Sequence, residues 1–163
     1  MVSFVLILIA AFFVLNRSRK SLASKYFFIF GILLSIWQVV IFLHRNAPTE
    51  ALSKDLLSVG ILFAIFGGSF ILVTVMNIPK RNDKALAFTI PPLIAGLYVS
   101  IQKPFTLSWN EMYGWTYTPT NPTVIIWIVI TFFYSIILIS LSFHIWNEYP
   151  SLRKKMSIIV FSF

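Results

Sequence analysis

Cysteine is absent from the 163 residues, which removes disulfides, thiolate metal ligands and cysteine nucleophiles together. Charge is almost as scarce. Only 11% of the residues are Asp, Glu, Lys or Arg, against about 25% in an ordinary soluble domain. Acids are the scarcest of these: five, against thirteen Lys and Arg, for a formal net charge of +8. Too few polar groups remain to cover the surface of a soluble domain of this size, which argues against a soluble globular enzyme. A hydrophobic content of 58% excludes intrinsic disorder. There is no glycine-rich phosphate loop and no Ser/His/Asp set, and no acid, Lys or Arg lies within a long apolar run. Pumps, proton-coupled transporters and voltage sensors need such buried charges, so their absence argues against all three. The sequence assigns no enzymatic activity, catalytic residue, cofactor or metal, and in a membrane protein a basic balance does not imply nucleic acid.

What is present is apolar residue in blocks, with a mean hydropathy of +0.87. The basic residues fall between the blocks: Arg17, Arg19, Lys20 and Lys25; Arg45 and Lys54; Lys80, Arg81 and Lys84; Lys103; Arg153, Lys154 and Lys155. The uncharged runs are 1–15, 26–43, 56–78, 86–101 and 124–146, followed by a shorter run at 156–163. A helix needs about 20 residues to cross a hydrocarbon core of roughly 30 Å. The runs are continuously apolar, unlike the alternating strands of a lipid-facing barrel. The expected fold is all-α: a single polytopic transmembrane bundle with five complete spans and the start of a sixth.

The first run carries no basic residue before it and Arg17-Ser18-Arg19-Lys20 after it, the reverse of a secretory signal. It reads as an uncleaved anchor. The connections after the first, third and fifth runs hold ten Lys and Arg, and the other two hold three. The positive-inside rule then puts 16–25, 79–85 and 147–155 in the cytoplasm and the N-terminus outside, in a multi-pass cell-membrane protein.

Several features within the runs invite a role. Gly60, Ala64 and Gly68 recur every four residues in the third run, a small-residue ridge that suits close helix packing inside the bundle or, alternatively, a homodimer seam. Pro91 and Pro92 remove backbone donors from the fourth run and predict a kink or break there, usable as a hinge. Ser35, Trp37 and Gln38 put polar atoms in the middle of the second run, where they need partners. His44 ends the second run at the outer surface, and His144, near the cytoplasmic end of the fifth, reads as an interfacial or capping residue; on opposite sides they do not make a shared metal site.

The longest connection, 102–123, holds Trp109, Tyr113, Trp115 and Tyr117 between prolines 104, 119 and 122. An interfacial aromatic belt is the plain reading. The other is a lid over a ligand, with Trp109, Trp115 and Tyr117 as an apolar or cation-accepting wall and Asn110 and Glu111 as polar contacts.

Five features together carry a resemblance. They are the basic connection after the first run, Ser35-Ile36-Trp37, the basic link after the third run, Gly114-Trp115-Thr116-Tyr117 before the fifth, and Ser151-Leu152-Arg153-Lys154-Lys155. In these the chain resembles the seven-helix N-terminal membrane region of some histidine kinases, along nearly its whole length. The resemblance implies a membrane sensor or input module, with the lipid bilayer around it and a cytoplasmic kinase or other signalling protein as its output partner. Kinase activity would then need a separate domain. The rival expectation is a structural helix-bundle subunit of a larger membrane complex.

Overall fold

The computed structural model describes residues 2–78, 81–119 and 121–148. Five α-helices are arranged in chain order: α1 (Val2–Arg17), α2 (Leu22–Arg45), α3 (Glu50–Met76), α4 (Ile90–Gln102) and α5 (Asn121–Glu148). A 3-10 segment, Asp83–Thr89, leads into α4, and two strands, β1 (Phe105–Asn110) and β2 (Gly114–Pro119), lie between α4 and α5.

The helix ends are set by short polar residues. Thr49 adopts an extended backbone and its hydroxyl accepts the Leu52 N–H at 3.3 Å, which starts α3. Glu50 in the first turn complements the positive end of the helix dipole. Asn46 closes α2 by donating its side-chain amide to the Phe42 carbonyl at 2.8 Å. Asn77 closes α3 in the same way on Val73 at 2.9 Å, and its oxygen accepts the Asn82 N–H at 2.8 Å. One side chain therefore both ends α3 and fixes the turn towards the 3-10 segment.

The α2–α3 pair is the spine of the fold, with α1 packed on α2 and α4 on α3. Tyr26, Phe30, Phe70, Val73 and Ala85 form one buried cluster; Leu57, Ile61, Val99 and Phe105 form another. The outward faces are apolar as well, with Ile9, Phe12, Phe13, Ile94, Ile101, Val129 and Phe143 all exposed. Such a surface suits a hydrocarbon solvent. Several hydroxyls within the helices bond to their own backbone: Ser35 donates to Gly31, Ser58 to Lys54 and Thr74 to Phe70, each at 2.7 Å.

Two expectations are corrected. Among the described residues, three helical stretches are long and apolar enough to cross a membrane: Leu22–Arg45, Glu50–Met76 and Asp83–Gln102. A shorter apolar helix, Val5–Arg17, stands beside them. Five complete spans are not what forms. At about 1.5 Å per residue, the 16 residues of α1 reach only about 24 Å, less than a hydrocarbon core. The fourth run lies within the spanning stretch Asp83–Gln102, but its prolines divide that stretch into a 3-10 segment and a 13-residue α4. The helix over the fifth run, α5, has 28 residues, and its side chains are described only in part. The fold is also not purely helical, because the connection after α4 is a β-hairpin. The partial sixth run at 156–163, and most of the basic connection at 147–155, lie outside the described residues.

The small-residue ridge is divided in the same way. Gly60 faces Val40 and Ile41 of α2, Ala64 is half-buried, and Gly68 points into open space. Closer helix–helix approaches occur at Gly67 against Leu33, at Gly96 against Leu62 and at Gly31, where an added Cβ would lie 2.5 Å from the Ala11 Cβ. Gly31→Val should therefore destabilise the protein by about 1–3 kcal/mol, the usual cost of overpacking. Gly68→Val should change stability by less than about 0.5 kcal/mol. Thermal unfolding of both variants in one detergent compares them, and equal effects would remove the α1–α2 contact from the account.

Candidate functional site

The hairpin at 105–119 is the site where polar, aromatic and charged groups converge. Its strands pair antiparallel, with Phe105 opposite Pro119, Leu107 opposite Tyr117 and Trp109 opposite Trp115. Strand side chains alternate between faces, so these six share one side. The other side carries Thr106, Ser108, Thr116 and Thr118, with Ser108 and Thr116 hydrogen-bonded across the strands at 2.9 Å. The apolar side turns inward at its base, where Phe105 is buried in the cluster with Leu57, Ile61 and Val99.

The turn is built by Asn110, whose side-chain oxygen accepts the N–H groups of Met112 at 2.9 Å and Tyr113 at 3.1 Å. Gly114 follows at φ 73°, a conformation that favours glycine. Its missing side chain has a second use, since a Cβ there would lie 2.1 Å from the Arg45 carbonyl oxygen. Only glycine lets the hairpin rest against the end of α2.

Further contacts hold it there. The Trp115 indole N–H donates to the Ala47 carbonyl in the α2–α3 turn at 2.9 Å. Tyr117 meets the His44 ring edge-on, with centroids 6.4 Å apart. His44 is itself buried, with Nδ1 3.0 Å from the Ser53 carbonyl oxygen and 2.8 Å from the Ser53 hydroxyl. At the base, Lys103 takes a left-handed conformation that ends α4, and its ammonium pairs with Asp55 on α3. Ser100 of α4 adds a hydrogen bond to the Ser58 carbonyl at 2.7 Å. The hairpin is thus fastened to α2, α3 and α4 at one end of the bundle.

The residues that the sequence singled out take different places. Trp109 and Trp115 form an edge-to-face pair, with centroids 5.4 Å apart, and Tyr117 is next on the same side. Trp115 and Tyr117 are engaged with the bundle, whereas Trp109 remains 58% exposed. Asn110 serves the turn, and Glu111 is exposed at its tip. Pro91 and Pro92 stand apart from the hairpin, in the first turn of α4. His44, Ala47, Ser53, Lys103 and the docking role of Gly114 were not foreseen. The signal for the hairpin was present in the apolar spacing Phe105, Leu107, Trp109 and again Trp115, Tyr117, Pro119.

The opposite end is basic, with Arg17, Arg19, Lys20, Lys25, Arg81 and Lys84 around the connections α1–α2 and α3–α4. Arg81 donates to both oxygens of Asp83, at 2.9 and 3.1 Å, and this hydrogen bonding holds its pKa above the usual guanidinium value. Arg19 donates to the Asn16 side-chain oxygen at 2.9 Å. Among the described residues no group of three His, Cys, Asp or Glu converges as a metal site would require.

No protein-family model, curated protein or solved structure matches the chain.

Docking of the hairpin is directly testable. Gly114→Ala should release it, since the left-handed backbone alone costs about 1–2 kcal/mol and the contact with Arg45 adds to that. Trp115→Phe should loosen it by about 1 kcal/mol, the net contribution of one hydrogen bond. Trp109→Phe should leave it docked. Hydrogen exchange across 105–119 distinguishes the three, and unchanged protection in Gly114→Ala would contradict this docking.

Proposed function

We propose that the chain is the membrane-embedded input module of a signal-transduction system, as its resemblance to the seven-helix region of histidine kinases implies. Three helical stretches of spanning length and the apolar outer faces support an integral membrane protein. The charge distribution supports an orientation with the N-terminus and the hairpin outside and the basic connections at 16–25, 79–85 and 147–155 in the cytoplasm.

The observation that carries the sensory reading is the fastening of one outer element to three helices. A stimulus that shifts the hairpin acts at the same time on Ala47 in the α2–α3 turn, on Asp55 of α3 and on the end of α4. Rigid helices carry such a shift across the bilayer, and the break at Pro91-Pro92 gives α4 a joint on the way. A ligand would meet Trp109 and Glu111 first, because the Trp115 N–H and the Asn110 oxygen already have partners. The cytoplasmic connections are short and basic, which suits anionic lipid and the acidic face of an output protein.

Purification of the tagged chain from its own membranes in a mild detergent separates the two expected roles. An input module should retain a cytoplasmic kinase or other phosphotransfer protein. Replacing Arg17, Arg19 and Lys20 with Glu should weaken that retention roughly tenfold, equivalent to about 1.4 kcal/mol. Recovery of integral membrane proteins alone, in fixed stoichiometry and unaffected by the Glu substitutions, would instead assign a structural subunit.

A further inference from the structure

We propose that the Tyr134 hydroxyl is the latch of the α4 break, supplying to the Phe88 carbonyl the hydrogen bond that Pro91 and Pro92 cannot. In an α-helix the carbonyl of residue 88 accepts the N–H of residue 92, and in a 3-10 helix that of residue 91. Both positions are proline, and proline has no N–H. Phe88 is therefore deprived of a helix donor in either register. Its neighbour is not, because the Ile90 N–H donates to the Ala87 carbonyl. The adjacent hydroxyl is also committed, since Thr89 donates to Leu86 at 2.8 Å.

The donor comes from elsewhere in the chain: Tyr134, on α5, donates its hydroxyl to Phe88. Around this carbonyl the exposed side chains are Leu86, Phe88 and Ile90, an apolar surface. The inference rests on the membrane reading in one respect, that no water is available there to replace the phenol. Held, the bond ties the 3-10 segment to α5 and fixes the angle at which it meets α4. Released, the segment can swing at the two prolines, and it carries Asp83 and Lys84 at its start, in the basic connection. The latch therefore joins α5 to the surface where an output partner would bind.

The test is a double-mutant cycle on the full chain in detergent, read by hydrogen exchange of the peptide spanning 84–90. Tyr134→Phe keeps the ring and removes the donor. Exchange should rise roughly three- to tenfold, the factor one net hydrogen bond supplies. Pro92→Ala restores an N–H in the α register, and in that background Tyr134→Phe should have no further effect. Pro91→Ala, which restores the 3-10 donor, serves the same purpose if the Pro92 variant does not fold. No change on Tyr134→Phe in the parent, or the same rise in both backgrounds, overturns the latch. Release of the chain from membranes by alkaline carbonate would defeat the membrane reading while leaving the outcome of the cycle legible.

Discussion

A backbone surrounded by hydrocarbon must satisfy its own polar groups, and nearly every local feature of this chain answers that requirement. Long helices do most of it. Ser35, Ser58 and Thr74 turn their hydroxyls back onto carbonyls of their own helices, which satisfies those donors within apolar segments. Where helices end, Asn46, Thr49 and Asn77 provide the missing donors and acceptors from side chains. The Pro91-Pro92 pair is the exception, and there the repair comes from another helix.

The same requirement explains why the hairpin lies at an end of the bundle. A hairpin leaves strand edges unpaired, which is tolerable in water and not in lipid. The hairpin of this chain turns its hydroxyl-bearing side away and puts Phe105, Trp115 and Tyr117 towards the bundle. Gly114 and the Trp115 indole then convert a flexible connection into a fixed cap over the α2–α3 turn. Under the proposed function, a cap fixed to several helices would serve as the mechanical input, and the basic connections at the far end would offer the surface on which its movement is read. That pairing is the basis of the sensory reading.

The apolar helices were legible from the sequence because hydrocarbon-facing residues need no periodicity, only continuity. α2 and α3 follow the second and third runs closely, starting one to two turns before them and ending within two residues of their close, with Asn46 and Thr49 setting limits at their facing ends. Continuity alone overstated the number of complete spans. It does not register that α1 is too short, nor that two prolines give the fourth run, itself part of a stretch of spanning length, two segments of different register. The hairpin was written in period two, but its aromatic residues drew attention to composition instead of spacing. The small-residue ridge illustrates a further limit: repeats of four mark one helix face without saying which face meets a neighbour, and Gly67, not Gly68, meets Leu33. His44 was read as a surface residue, whereas Ser53 and Tyr117, distant in sequence from one another, enclose it.

The absence of cysteine makes the central claim, a membrane bundle with its hairpin cap outside and its basic connections inside, open to a direct measurement. Single substitutions Met112→Cys, at the 78% exposed hairpin tip, and Lys84→Cys, in the basic connection, give one thiol at each end. Intact cells are treated with a membrane-impermeant maleimide, before and after permeabilisation. The account predicts labelling of the residue-112 variant in intact cells and of the residue-84 variant only after permeabilisation. Labelling of both from the same side, or protection of residue 112 until the cells are opened, would contradict it.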